Sequence, residues 1–515
     1  MRSSIKATAA LCVAVLSTVA GCGTGHRSGS AATTTTLRVG MNAAVQTLDP
    51  AKSGQPPVLV FIYDPLIYKT SDGRYQPDLA TSWKYTDSTR RSFQFALRSG
   101  VTFADGSALT ADAVKKSFEY FLATPNPNLS EVGAIDTVQV VDEHTVQINY
   151  KSAFPDAVQS LSQYYGMGMV IGPKGLANPA SLATSADGVG QYTVDSGATV
   201  ANSLYTYNAN AKYWNPAAVR YKQVQVKVLP DNNARMAALR SGQIDLAVQV
   251  PLSQLGAATA TGYTVIKSPS TWMVLFFANR LKGPLANPQV RQALNYAIDR
   301  DAVVKDFYQG FAESQDQFSP AGTVGYAPDL AATYSFDAAK AKSMLAAAGY
   351  PNGLTLHVLT ASVTDPGGLL GQTVKSQLAS IGVTVDLTVE SGNFSQFGAD
   401  LSGGKFDTIL WNLFSADIYA AVNGNFVGTG LLNSYKISDS TVDGLLQQAA
   451  SASDDQYGAA SAKVNAYLTQ NAWGVPIATR YNTDVAITAI KGVNTNPVTP
   501  TVDPVGPDAG LSWAP

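Results

Sequence analysis

Strand-like and helix-like hydrophobic periods alternate along residues 37–515, and a chain that alternates this way over hundreds of residues reads as α/β with mixed sheets. Leu37-Arg38-Val39-Gly40-Met41 opens as a strand, Leu48-Asp49-Pro50 turns, and Phe61-Ile62-Tyr63-Asp64-Pro65-Leu66 follows. Ser92-Phe93-Gln94-Phe95-Ala96-Leu97-Arg98 alternates polar and apolar residues, as a half-buried strand does. After the Asp105-Gly106 turn, Thr110 caps a helix whose Val114, Phe118, Phe121 and Leu122 share one face, with Asp112 in its first turn. Asp231 precedes a helix over 234–241 that stops at Gly242, and residues 244–247 read as a strand. Asn287 caps a helix opened by Pro288, and Gly349 ends another over 337–348. At 515 residues the chain exceeds one ordinary core, so two to four domains or lobes are expected.

The first residues read as a processing signal. Arg2 and Lys6 precede a short apolar stretch over 7–20, too short to span a bilayer comfortably. That stretch runs into Val19-Ala20-Gly21-Cys22, which resembles the lipobox of bacterial lipoproteins. The expectation is a signal peptide over 1–21, lipidation of Cys22 and a flexible Gly/Ser/Thr-rich tether over 22–36, spanning roughly 20 Å as a random coil. Cys12 and Cys22 are the only two cysteines, so a chain beginning at Cys22 has no thiol pair to oxidise. The protein is then expected at the extracytoplasmic face of a bacterial cell membrane, lipid-anchored and monomeric.

Losing Arg2 and Lys6 lowers the basic count from 35 to 33 against 37 acidic residues, a formal charge of -4. Without a basic stripe, nucleic acid is not an expected partner. There is no G-x-S-x-G, H-E-x-x-H or Walker A motif, so no enzyme activity and no cofactor are expected. His26, His144 and His357 are the three histidines and have no metal-ligand spacing, so no metal site is expected either.

The order of motifs resembles family 5 extracellular solute-binding proteins, the peptide-, dipeptide- and nickel-binding components of ABC importers. The resemblance is carried by Pro77-Asp78-Leu79-Ala80-Thr81-Ser82-Trp83, Val101-Thr102-Phe103-Ala104-Asp105-Gly106 and Leu109-Thr110-Ala111-Asp112-Ala113-Val114. It continues through Gly188-Val189-Gly190-Gln191-Tyr192, Tyr213-Trp214, 239–245, 290–300 and 346–350. It implies a two-lobed periplasmic-binding-protein-like fold (type II, with an extra domain) hinged between lobes. A discontinuous domain I would comprise 37–62, 187–271 and 485–515, with domain II over 63–186 and domain III over 272–484. Ligand would close domain III onto domain I across a hinge near 271 and 484. Trp83, Tyr213-Trp214 and Arg291 are read as core and hinge packing.

In peptide-binding members an aspartate of domain III accepts the ligand's α-ammonium group, and the resemblance places Asp417 there. Its alternative is a helix-capping or surface aspartate. Trp411 and Phe414 would wall the pocket, with Trp272 and Tyr63 as further aromatic contacts. Where the family often continues into Asp-Pro or Glu-Pro, this chain reads Ile418-Tyr419-Ala420-Ala421. The expected function is capture of a small solute, foremost a peptide, for an ABC permease. The alternatives are an oligosaccharide or metal chelate on the same fold, or a lipoprotein that senses a peptide without transport. Cys22→Ser is expected to release the protein into the medium of a cell without an outer membrane; fractionation with undiminished membrane association would contradict the anchor.

Overall fold

Local capping chemistry sets the helices that the sequence announces. Thr110 Oγ1 accepts the Ala113 N–H at 3.2 Å to start Ala111–Ala123. Asp231 accepts from Ala234 at 2.7 Å ahead of Asn232–Arg240, and Asp337 from Lys340 at 2.8 Å ahead of Ala338–Ala347. Asn287 accepts from Gln289 at 2.9 Å ahead of Pro288–Tyr296. Each such cap contributes about 1 kcal/mol. Gly242 and Gly349, at φ 70° and 95°, take the left-handed position just past their helices. The strand expected over 244–247 narrows to Leu246–Ala247, and the carboxylate of Asp245 before it is held by the Arg38 guanidinium and backbone N–H.

The computed structural model describes residues 36–43, 45–53, 58–70, 74–126, 129–260, 262–362, 364–391, 394–413, 417–428, 430–491 and 512–513. The leader, Cys22 and the tether lie outside the described residues. Thr35–Ala514 forms one structural unit.

Two long antiparallel strands, Thr264–Phe277 and Gly474–Ala486, organise the largest sheet. Outward on one side lie Thr408–Leu413, Leu354–Ala361 and Val383–Glu390. On the other lie Leu246–Ala247, Thr36–Met41, Gln223–Val228, Leu204–Ala209 and Tyr192–Val194. Parallel and antiparallel pairings both occur, so the sheet is mixed. The register between the long strands shifts between Pro269 and Trp272 and again at Met273/Val274.

Strand alternation then sorts the cores. Met273, Leu275 and Phe277 face a core shared with Val290, Leu294 and Leu345, while Val274 and Phe276 face the opposite core with Val422 and Phe426. A separate core lies in the 51–189 region, where Phe93, Phe95, Val146 and Ile148 of a four-stranded antiparallel sheet meet Val114, Phe118 and Phe121 of the covering helix. That layer and the helices Ile418–Asn425 and Asp454–Gln470 carry the two walls of the candidate site.

The matched residues Tyr213, Trp214 and Arg291 do packing work. The Tyr213 hydroxyl and Trp214 Nε1 donate to Asp64 Oδ2 at 2.7 and 2.9 Å, and Arg291 donates to the carbonyls of Leu285 and Ala472. Arg300 is buried and donates to the carbonyls of Gln315, Pro476, Asn295 and Tyr334 at 2.8–3.2 Å, tying a helix start to the strand Gly474–Ala486. Arg300→Gln strands several of these acceptors and is expected to lower unfolding free energy by about 3 kcal/mol or more in urea titration; an unchanged midpoint would contradict that role.

Candidate ligand-binding site

Asp417 sits where strand Thr408–Leu413 hands the chain to helix Ile418–Asn425. Its Oδ1 accepts the Tyr419 N–H at 2.8 Å, so it caps the helix, and its Oδ2 accepts the Tyr457 hydroxyl at 2.8 Å. The helix-capping alternative and a place in a cavity are therefore both realised. Ile418 N–H donates to the Val324 carbonyl at 3.3 Å, drawing the 322–325 loop beside the carboxylate. Gly325 has φ 91°, and a Cβ there would lie 2.4 Å from Ile418 Cγ2, so only glycine lets the loop approach this closely. Asn465 fixes that loop by donating to Gln317 Oε1 and the Gly325 carbonyl at 2.6 and 2.9 Å. Tyr457 and Asn465 both belong to Asp454–Gln470, so one helix positions the loop and the partner of Asp417.

The facing wall comes from residues 69–159. Lys69 ends the short strand Ile67–Lys69 and is 2% exposed. The Gln163 side chain brackets its backbone at 3.0 and 2.8 Å, and its Nζ donates to Gln159 Oε1 at 3.1 Å. The same ammonium lies 5.1 Å from the Tyr75 ring centroid. Arg90 has φ 52°, and its guanidinium lies 5.0 Å from the Tyr85 ring and 4.9 Å from the Tyr457 ring. Between the walls is a cavity of about 250 Å³. Its described lining includes the charges of Lys69, Arg90, Asp156 and Asp417 and the aromatic faces of Trp83 and Tyr457.

Burial governs the electrostatics. Loss of water pushes the Asp417 carboxyl up to about 6, against the opposing pull of its bonds to Tyr457 and Tyr419 and the charges of Lys69 and Arg90. It pushes the Lys69 ammonium down to about 8, although Asp417 and Asp156 favour its charged form. At neutral pH Asp417 is therefore ionised in surroundings that stabilise its charge incompletely, and an arriving cation can complete them.

The residues selected from the sequence divide. Asp417 lines the cavity. Trp411 is 7% exposed, stacks on Phe397 at 4.6 Å inside the core, and is not among the described residues lining the cavity. Tyr63 is wholly buried in the core around Phe61 and Tyr192, its ring against Gly188. Phe414 and the side chain of Trp272 lie outside the described residues; the Trp272 backbone pairs with Leu413. Trp83, read as packing, is half-buried, packs against the core of the 51–189 region and also lines the cavity. Sequence reasoning missed Lys69, Arg90, Asp156 and Tyr457. The facing wall belongs to 63–186, whereas domain I was the expected partner; one sheet already joins Thr36–Met41 to the 272–484 strands. Among the described residues no group of three or more His, Cys, Asp or Glu side chains could hold a metal, and no helix is long and apolar enough to cross a membrane.

A mixed-charge cavity held between two separately cored parts of one chain defines a small-solute binding protein. Residues 74–426 match the bacterial extracellular solute-binding proteins, family 5 (the family's middle region). The chain belongs to that family, and is thus a solute-binding component of ABC importers that delivers small ligands or peptides to a permease. It is 28% identical over 384 residues to the glutathione-binding protein GsiB of Pectobacterium atrosepticum, covering 68% of this chain and 72% of that one. The structure of HbpA2 from Haemophilus parasuis superposes with a TM-score of 0.80 at 22% identity, over 93% of this chain and 100% of that one. NikA from Brucella suis in complex with Fe(III)-EDTA gives a TM-score of 0.79 at 24% identity, with the same coverage. These structures share the mixed α/β periplasmic-binding-protein fold.

The raised carboxyl of Asp417 has a signed consequence for stability. With an ordinary value of 3.8 in the unfolded chain and about 6 when folded, it opposes folding in full above pH 6, and that cost disappears as pH falls toward 3.8. Asp417→Asn is therefore expected to raise the unliganded melting temperature at pH 7.5 and to narrow its advantage over the parent at pH 4.5. A difference independent of pH would contradict the buried charge.

Proposed function

We propose that the chain is a lipid-anchored extracytoplasmic receptor that captures a short, amine-bearing peptide-like solute on Asp417 and passes it to an importer. The observation that carries this reading is the ionised, water-poor Asp417 carboxylate lining a cavity with cations opposite. An ammonium group would complete its charge, and the Lys69 ammonium is suited to a ligand carboxylate. The cavity of about 250 Å³ is small beside the ~300–1,000 Å³ of ordinary ligand pockets, which favours a ligand of few residues. Glutathione, named for the relative from Pectobacterium atrosepticum, carries an ammonium and two carboxylates and is the natural first probe.

On this reading residues 63–186 and 272–484 are the lobes that meet across the ligand, and 37–62, 187–271 and 485–515 form the remaining domain. Closure would flex the long strands near their register break at Pro269/Trp272. Trp272 and Phe414 are proposed as aromatic neighbours of the ligand, because Trp272 pairs with Leu413 at the strand end leading to Asp417. Cys22 would keep the receptor at the outer face of the membrane.

Calorimetric titration with glutathione and its N-acetyl derivative tests the amine site. Acetylation, or Asp417→Asn, is expected to cost about 2–5 kcal/mol of binding. Protonation of Asp417, faced by Lys69, Arg90, Asp156, Tyr419 and Tyr457, should weaken glutathione roughly tenfold at pH 5 relative to pH 7. Loss of the Lys69 charge should weaken it again above about pH 8. Equal affinity for free and acetylated forms would contradict the assignment.

A further inference from the structure

One guanidinium reaches from one wall of the cavity to the other. Arg90 lies between the rings of Tyr85, from its own wall, and Tyr457, from the opposite wall, at 5.0 and 4.9 Å. Both rings are anchored independently of it. The Tyr85 hydroxyl donates to the Phe154 carbonyl at 2.7 Å and its ring meets Phe93 edge-on at 5.0 Å. Tyr457 rides on Asp454–Gln470 and donates to Asp417 Oδ2 at 2.8 Å.

The backbone presenting Arg90 is fixed as well. Asp87 Oδ1 accepts from Thr89 N–H at 2.7 Å, Thr89 Oγ1 at 2.6 Å and Arg91 N–H at 3.2 Å, closing the turn that leaves Arg90 at φ 52°. Phe154 N–H donates to the Arg90 carbonyl at 3.0 Å. A left-handed conformation in a non-glycine residue is uncommon, and here it directs a 4%-exposed side chain across the cleft. The planar guanidinium can stack on both rings at once, which a lysine ammonium cannot reproduce.

We propose that Arg90 is a cross-cleft positioning residue that clasps the two walls through the Tyr457 ring and thereby holds the Tyr457 hydroxyl on Asp417. The contacts run from the Asp87 turn to Arg90, to Tyr457 and to the carboxylate. Arg90 thus sets the spacing of the two walls and the presentation of the acidic acceptor together. The inference rests on the reading of Asp417 as the ligand's acceptor only in its last step; the clasp itself is testable without ligand.

Small-angle X-ray scattering of the unliganded full chain reads the clasp directly. Arg90→Gln and Tyr457→Leu are each expected to shift the radius of gyration to a larger value, and the double variant to the same value as either alone. Tyr457→Phe, which keeps the ring, should match the parent, and Arg90→Lys should fall between parent and Arg90→Gln while guarding against misfolding. A parental radius in Arg90→Gln or Tyr457→Leu, or an additive increase in the double variant, overturns the clasp. With glutathione as probe, Arg90→Gln should lose roughly 3- to 30-fold in affinity, the range of a cation–π contact. Silence toward glutathione with an intact scattering pattern would fault the ligand reading alone, whereas full glutathione affinity in Arg90→Gln and an unaltered radius would fault the clasp alone.

Discussion

Asp417 is a carboxylate that the fold removes from water, and the helix it caps, the Tyr457 hydroxyl and the cations across the cavity all bear on its charge. One oxygen caps a helix and the other takes a tyrosine hydroxyl, and two cations across the cavity pull in the same direction. These do not restore what bulk water would give, because burial costs the charged form more than its partners return. The deficit is useful. A group held ionised in an incompletely compensating pocket binds a cation more strongly than the same group on a surface, where the net worth of an ion pair is about 0–1 kcal/mol.

The surrounding structure delivers this arrangement from distant parts of the chain. The mixed sheet brings Thr408–Leu413 beside Thr264–Phe277, and the helix Asp454–Gln470 crosses behind to supply Tyr457 and to pin the 322–325 loop through Asn465. The opposing wall has its own core and its own antiparallel sheet, and it carries Lys69 and Arg90. A binding protein needs that division, because only walls that can part allow a buried charge to meet a ligand. The site works against the stability of the empty protein, and the cores on either side of it sustain the fold around it.

Much of the fold was legible in local chemistry. Thr110, Asp231, Asn287 and Asp337 cap the helices they announce, and Ser92–Leu97 shows the alternation its sequence carries. Asp417 was reached through the family motif order, since nothing local distinguishes a capping aspartate from a buried acceptor. Trp411 lies in Thr-Ile-Leu-Trp-Asn-Leu, a strand buried on both faces where an aromatic residue packs in the core, and the lack of polar alternation signals that burial. Tyr63 closes the apolar run Leu59-Val60-Phe61-Ile62, a short helical turn buried in the core, and is buried with it. Lys69 carried a faint mark as a lone charge closing the apolar run Leu66-Ile67-Tyr68. Arg90 and Tyr457 carried none, because their meaning arises only when segments hundreds of residues apart meet.

The fold is expected to hold the Asp417 carboxyl above the ordinary aspartate range, and its own titration tests that most directly. Carbon-13 NMR of the aspartate carboxyls, with Asp417→Asn to assign the signal, should place its midpoint at about 6 in the free protein and move it downward when glutathione is bound. A midpoint in the ordinary aspartate range, or one that glutathione leaves in place while binding measurably, would contradict the account.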